Sequence, residues 1–251
     1  MQSKQSLDLI TQTPLLVGEI WQGYIYQRQG RWGEAEKLQI EVRNARQARL
    51  GSDHPNTLTS MGHLACTYQS QGRWHEAEKF QIEVMNARGA KLGSDHPDTL
   101  SSMGDLAVTY QRQGRWDEAE KLEVGVMDAK QAKFGSDHPD TLGAMNNLAL
   151  TYKNQRRWDE AEKLQVQVMN VRQAKFGSDH PGTLIVMANL ALTYWGQQRL
   201  DEAQFLLSHA IKMIQQVMGP QHPATLKTVK NLDSLSRTLL VCHGICTFTF
   251  I

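Results

Sequence analysis

The sequence predicts an all-α solenoid built from antiparallel helix pairs. Two observations support this fold class. The sequence repeats every 42 residues, and each 42-residue interval contains two stretches whose apolar residues recur at helical spacing. Glycine or proline separates these stretches. A fixed period of this length is typical of a repeat array. The period is 42 residues, marked by a His-Pro dipeptide that begins at His54, His96, His138, His180 and His222.

The first helix of a repeat is well illustrated by the segment after His96. Pro97 suits the first helical turn, where its missing N–H is not needed and its φ is already helical. Gly114 follows the last apolar residue and can take the left-handed conformation that ends a helix. The apolar stripe between them consists of Leu100, Met103, Leu106, Ala107 and Tyr110.

The second helix of this repeat is predicted to run from Trp116 to the residue before Gly135. Asp117 and Glu118 lie in its first turn, where acids interact favourably with the helix dipole. Glu118 and Lys121 are three residues apart and are expected to pair on a solvated face. The apolar stripe consists of Ala119, Leu122, Val126, Ala129 and Phe134. Trp116 and its equivalents are expected to be core or staple residues at the turn between the helices: Trp32, Trp74 and Trp158.

Small residues recur where the two helices of a repeat should cross closely. Ala107 and Ala119 form one such pair, and Tyr110 follows the first of them by three residues. This combination resembles the tetratricopeptide repeat, whose usual length is about 34 residues. Eight extra residues correspond to about one more turn in each helix. The same pairs are Gly23/Ala35, Ala65/Ala77, Ala149/Ala161 and Ala191/Ala203.

The repeat length and the motifs Asp-His-Pro-Asp-Thr-Leu, Asn-Asn-Leu-Ala-Leu-Thr-Tyr and Trp-Asp-Glu-Ala-Glu-Lys-Leu resemble the kinesin-light-chain type of this repeat. The nearer likeness is to fungal arrays of the same type. The resemblance implies a right-handed superhelix whose first helices line a concave groove. The predicted array spans 14–237, with repeats at 14–54, 55–96, 97–138, 139–180 and 181–222, and a capping helix at 223–237. A polar segment, 1–13, precedes it, and an apolar tail, 238–251, follows.

One position departs from the family pattern. Where an aromatic side chain commonly follows the equivalent of Leu122, this chain has a long polar residue. Two interpretations are open: neighbouring repeats pack less tightly, or the position faces water. The residues concerned are Gln39, Gln81, Glu123 and Gln165.

Charge and cysteine usage narrow the class of partners. The net charge of +1 provides no global field for nucleic acid or an anionic membrane. The three cysteines are too few for a disulfide framework, so a cytoplasmic location is the default expectation. No stretch reaches the roughly 18 apolar residues of a membrane-spanning helix.

Metal binding, cofactor binding and catalysis are not predicted. The His-Pro histidines are a whole repeat apart, whereas metal ligands must converge to about 2 Å. The segment Cys242-His243-Gly244-Ile245-Cys246 offers at most three ligands, and a structural zinc site needs four. Neither a Gly-x-Ser-x-Gly nucleophile motif nor a phosphate-binding Gly-x-x-x-x-Gly-Lys-Ser/Thr motif is present. The sequence therefore predicts a non-enzymatic protein without cofactors.

The resemblance places candidate peptide contacts on the first helices. Asn147 and Asn189 resemble groove asparagines of kinesin light chains, and an amide can both donate to and accept from a peptide backbone. Trp21, Tyr24 and Trp195 are candidate platforms for an apolar or aromatic anchor. The second groove positions hold no cation, which disfavours a clamp for a C-terminal carboxylate. The predicted peptide-binding residues are His63, Gln69, Asp105, Gln111, Asn146, Asn147, Lys153, Asn189 and Trp195.

The leading functional hypothesis is a scaffold that binds a protein or peptide ligand in the groove. The alternative is a regulatory or self-associating fragment of a fungal nucleotide-binding signalling sensor that lacks its NTPase module. A motor-subunit role is not favoured, because only about thirteen residues precede the array and they carry no heptad pattern.

Overall fold

A computed structural model describes residues 21–218, and every regular element in that range is an α-helix. Helix α1 is described over residues 21–28. The others are α2 (Trp32–Leu50), α3 (Pro55–Ser70), α4 (Trp74–Leu92), α5 (Pro97–Arg112), α6 (Trp116–Phe134), α7 (Pro139–Asn154), α8 (Trp158–Phe176), α9 (Pro181–Gly196) and α10 (Leu200–Met218). The segment 1–13, the capping helix predicted at 223–237, the tail 238–251 and its Cys-His-Cys cluster lie outside the described residues.

The His-Pro dipeptides begin the first helices, as the sequence predicts. The Nδ1 atom of His96 accepts a hydrogen bond from the backbone N–H of Asp98 at 3.1 Å, and Pro97 occupies the first helical position. This bond satisfies one of the four N–H groups that a helix start leaves without an intrahelical partner. The same cap forms at His54, His138 and His180.

The turn between the two helices of a repeat needs one residue in the left-handed region. Gly72 and Gly114 supply it at φ +74° and +75°. The last two described turns place Arg156 and Gln198 at this position, with φ values of 62° and 65°. A side chain in this conformation costs roughly 1–2 kcal/mol, so these two turns are strained relative to the glycine turns.

The chain divides into two compact units, Met1–Leu122 and Glu123–Ile251, with the boundary inside α6. In the first unit, Ala65 and Ala77 are fully buried where α3 packs on α4, which confirms the predicted close crossing. Leu64 and Tyr68 complete this part of the core, and Phe80 packs against it.

The second unit has a core of the same design. Ala149 and Ala161 are fully buried at the α7–α8 contact. The packing of α9 on α10 buries a larger apolar cluster, which includes Leu184, Ala203 and Leu207. Within each unit, the core consists of apolar clusters formed where first and second helices pack on each other.

The acids at the starts of the second helices are only partly solvated, which corrects the sequence interpretation. Glu118 accepts a hydrogen bond from Nε of Arg115 at 3.0 Å, and this arginine rather than Lys121 is its ion-pair partner. The second acid of the motif lies deeper: the side chain of Glu78 is only 16% exposed and pairs with Arg115 at 2.7 Å. The guanidinium of Arg115 also lies over the ring of Tyr110, 4.2 Å from its centroid. One arginine thus joins two successive repeats.

This ionic contact changes the titration of the buried acid. Burial by itself would raise the pKa of Glu78, but hydrogen bonds from Gln113 and Arg115 outweigh burial and lower the pKa. Equivalent contacts lower the pKa of Glu36 in the first unit and of Glu162 in the second. The network is therefore ionised at neutral pH in both units.

Candidate functional site

Within each unit, the surface formed by the first helices of the repeats is called the first-helix face below. A pocket of about 360 Å³ opens on this face of the first unit and is lined by residues of α1, α2 and α3. Trp21 and Tyr24 of α1 stand at its rim with 64% and 51% of their surfaces exposed. His63 of α3 faces them, so two predicted aromatic platforms and one predicted contact residue come together. The remaining lining residues are Gln27, Gln39, Val42 and Ser60.

The charge state of His63 is set by its surroundings. Desolvation of the ring and the nearby positive charge of Arg46 lower the pKa of His63 below its ordinary value of 6.5. The imidazole is therefore neutral at pH 7 and offers one donor and one acceptor. Its ring remains exposed at the pocket surface.

A basic residue from the second helices approaches this face, which the sequence analysis missed. Nη1 of Arg46 donates to the backbone oxygen of Asn56 and to Oγ of Ser60, both at 2.7 Å. Arg88 makes the equivalent contact with Oγ of Ser102 at 2.9 Å. Their signal in the sequence is a basic residue at one repeat position: Arg46, Arg88, Lys130 and Arg172.

Gln69 is part of the framework, although it was predicted to contact a peptide. Its Nε2 donates to Oγ1 of Thr109 at 2.7 Å, and this hydroxyl donates to Oε1 of Gln81 at 2.6 Å. Nε2 of Gln81 in turn donates to the backbone oxygen of Asp105 at 3.2 Å. This series, from Gln69 through Thr109 to Gln81, is called the amide relay below.

The amide relay also corrects the interpretation that the polar second-helix position faces water. Gln39 and Gln81 are buried, and Gln165 has no exposed surface. Each glutamine accepts a hydrogen bond from a threonine of the following first helix: Thr67, Thr109 and Thr193. A buried hydrogen-bonded pair therefore occupies the place where the family commonly has an aromatic side chain.

The other predicted contacts in the first unit differ in environment. The carboxyl of Asp105 is exposed, and desolvation raises its pKa while the charge of Arg88 opposes the rise. Gln111, near the end of α5, is half-buried and has an interaction of its own.

In the second unit, two predicted groove asparagines contact each other. Nδ2 of Asn189 donates to Oδ1 of Asn146 at 3.2 Å. Asn147 lies next to this pair with its side chain exposed on α7. These amides lie on the first-helix face, and Asn147 is the most accessible of the three.

Lys153 and Trp195 come together in a second pocket, of about 530 Å³, where α7 and α9 end. Desolvation lowers the pKa of Lys153. Within residues 21–218 its ammonium makes neither a hydrogen bond nor an ion pair. The other lining residues are Asn154, Arg156, Trp158, Leu192, Gly196 and Gln198.

Two further classes of site are absent from the described range. No group of three or more His, Cys, Asp or Glu side chains between residues 21 and 218 is arranged to hold a metal ion. No helix in that range is both long and apolar enough to cross a membrane.

Comparison with known proteins agrees with the repeat architecture. The family model described as "Tetratricopeptide repeat" matches residues 16–88, 67–124 and 140–216, which is well over half of the chain. No curated protein matches the sequence.

Solved structures give the same result. One crystal structure contains repeats of the kinesin-light-chain type from Podospora anserina that are nearly identical to one another. Its sequence is 30% identical to this chain, with a TM-score of 0.73 and coverage of 80% of this chain and 95% of that one. A second crystal structure of such repeats from the same organism gives 29% identity and a TM-score of 0.74 over the same shares. BtubC (BKLC) from P. vanneervenii, at 19% identity and a TM-score of 0.70 over 88% of this chain and 89% of its own, shows the fold alone. The chain therefore belongs to the tetratricopeptide-repeat family, and its repeats are of the kinesin-light-chain type.

Proposed function

We propose that this protein is a non-catalytic scaffold that binds a peptide segment on its first-helix face. The observation that carries the proposal is the pocket between Trp21, Tyr24 and His63, where two exposed indole and phenol rings border an apolar cavity. Aromatic residues with open surface next to a pocket are the typical anchors of protein recognition. Trp21 and Tyr24 are far more exposed than aromatic residues of a hydrophobic core, as expected for side chains that a bound peptide would cover.

Polar groups beyond the pocket would hold the backbone and charged side chains of the ligand. His63, Asp105 and Asn147 present exposed polar side chains on first helices in their respective units. Asn146 and Asn189 keep unused hydrogen-bonding capacity, because one bond satisfies only part of an amide. Gln69 is left out of the proposed contacts, because Thr109 already holds its amide nitrogen.

The proposal is tested with peptides selected from a randomised display library against the full chain. Dissociation constants are measured by calorimetry for the wild type and for Trp21→Ala/Tyr24→Ala. We expect at least tenfold weaker binding by the double variant, since each anchor is worth about 1–2 kcal/mol. Phe176→Ala, which removes an exposed aromatic ring from the other unit, is the matched control and should leave the affinity unchanged. Equal affinity in the double variant, or failure to select any peptide, would refute the proposal.

One observation favours the self-associating alternative. Phe205 on α10 is 70% exposed, whereas the preceding repeats carry lysine at this position: Lys37, Lys79, Lys121 and Lys163. An exposed ring in place of a charge favours contact with another chain. Analytical ultracentrifugation at micromolar concentrations should then show a dimer that the substitution Phe205→Lys dissociates. A monomer at all these concentrations would refute self-association and leave the scaffold function as the remaining proposal.

A further inference from the structure

We propose that the pocket formed by Lys153, Trp158 and Trp195 is a binding site for a small aromatic anion. Lys153 provides the cation, and the two indole rings provide the surface for the ring of the ligand. This site is distinct from the Trp21/Tyr24 pocket, so the proposal goes beyond peptide binding and does not depend on it.

Lys153 carries a charge that has no partner in the described part of the chain. Its repeat position carries glutamine at Gln27, Gln69 and Gln111, and α7 is the first helix at which a charge replaces the amide. The side chain is half-buried, and in the described part of the chain no acceptor or carboxylate compensates its ammonium. Removing a charge from water without a partner is unfavourable. An anionic ligand would supply the missing partner.

Departures from the repeat pattern concentrate around this pocket. Arg156 and Gln198 occupy the left-handed turn position where Gly30, Gly72 and Gly114 stand in earlier repeats. Both line the pocket. Backbone strain of this kind persists where the surrounding structure maintains it, and it clusters at ligand sites. Here the glycine turn has been replaced by residues whose side chains can reach a ligand.

The aromatic walls of the pocket are packed closely against the end of α9. A Cβ added to Gly196 would lie 2.6 Å from the six-membered ring of Trp158, so only glycine allows this indole to lie against the end of α9. The equivalent residues are larger in earlier repeats: Ser70, Arg112 and Asn154. Trp195, the residue before Gly196 on α9, provides the second indole ring of the pocket. The close packing fixes Trp158 before any ligand arrives, which lowers the entropic cost of binding.

Charge and size together define the ligand. The lining contains two cations, Lys153 and Arg156, and no acid. The volume of about 530 Å³ lies within the range of small-molecule sites, roughly 300–1,000 Å³. Flat apolar surfaces beside a cation suit a ring that carries a carboxylate or a phosphate, since the ring stacks on indole while its anion meets the ammonium.

The test uses phenyl phosphate and benzoate, with phenol as a neutral probe of the same ring size. Binding to the full chain is measured by calorimetry and by quenching of tryptophan fluorescence. We expect at least one of the two anions to bind and phenol to bind at least tenfold more weakly; the stronger anion identifies the preferred headgroup. Affinity should fall as the pH rises through the lowered pKa of Lys153, because the cation is lost.

Variants separate a specific site from nonspecific attraction. Lys153→Gln installs the residue that earlier repeats tolerate and should weaken anion binding at least tenfold, whereas Lys153→Arg should retain most of it. Lys163→Gln removes an exposed lysine of the same unit and should have no effect. The proposal is overturned if no anion binds, if phenol binds equally well, or if Lys163→Gln weakens binding as much as Lys153→Gln does. None of these outcomes bears on peptide binding at Trp21 and Tyr24.

Discussion

Gln69 in the first unit and Lys153 in the second occupy the same repeat position but have different roles. Gln69 donates to Thr109 and completes the amide relay to Gln81. In the second unit, Thr193 still donates to Gln165 at 2.7 Å, but Lys153 makes no such bond. Within the described range, the buried Nε2 of Gln165 has no partner. Glutamine at this repeat position therefore supports the packing of neighbouring helices, whereas lysine at the same position leaves its side chain available to a ligand.

Loss of the amide relay should destabilise the protein more than any other change considered below. Thr109→Val removes the hydroxyl that joins Gln69 to Gln81 and leaves a buried amide oxygen without its donor. We expect a loss of about 1–3 kcal/mol in the free energy of unfolding, measured with urea. Thr59→Val on the exposed face of α3 is the control and should cost less than about 0.5 kcal/mol. A similar loss in both variants would contradict a special role for the relay.

Exchanging Gln69 and Lys153 should change the stability of the two units in opposite directions. Gln69→Lys should destabilise the first unit by roughly 1–2 kcal/mol, because it removes a hydrogen bond and introduces a half-buried charge. Lys153→Gln should stabilise the second unit by about 0.5–1.5 kcal/mol through the opposite changes. Thermal unfolding of each single variant and of the double exchange measures both effects. Shifts of the unfolding temperature in the same direction for both substitutions would contradict the roles assigned to Gln69 and Lys153.

The turns provide a smaller effect of the same kind. Arg156→Gly and Gln198→Gly should each stabilise the fold by roughly 0.5 kcal/mol, since relief of the left-handed strain exceeds the extra entropy of an unfolded glycine. Gly114→Ala, at φ +75°, should cost about 1 kcal/mol. Differential scanning calorimetry tests all three, and a loss of stability in both glycine variants would show that these turns are not strained.

The smallest effect concerns alkaline pH. Burial lowers the pKa of Lys153 in the folded chain, so the unfolded chain binds more protons in the interval below its ordinary pKa of 10.5. Stability of the second unit should therefore rise with pH through that interval, as the cost of the buried charge disappears. Lys153→Gln should remove this rise when urea unfolding is compared at about pH 8 and pH 10. An unchanged pH profile would contradict the desolvation of this lysine.

The sequence predicted those parts of the structure that depend on local pattern. The start of α5 at Pro97, the close crossing at Ala65 and Ala77, and the start of α6 at Trp116 all follow from helical spacing and residue chemistry. The burial of Gln81 could not be predicted in this way, because its partner Thr109 is 28 residues away. A polar side chain looks the same in the sequence whether it meets water or another amide.

The candidate sites show the same limit. His63, Lys153 and Trp195 were identified from their positions on first helices, but the sequence did not indicate that they belong to two separate pockets. Arg46 was missed because its helix was not expected to contribute to this face. Gln69 and Lys153 were both chosen because the resemblance places their shared repeat position on the groove face, whereas tertiary contacts decide which of the two is available to a ligand.

Ligand binding at both pockets can be followed through the six tryptophan indole N–H signals in a ¹⁵N NMR spectrum, each assigned by single substitution. They report on both pockets in one sample. A selected peptide should shift the signal of Trp21 and leave those of Trp32, Trp74 and Trp116 in place, while phenyl phosphate or benzoate should shift Trp158 and Trp195. A peptide that binds without moving the Trp21 signal would show that peptides are not recognised on the first-helix face through the Trp21/Tyr24 pocket.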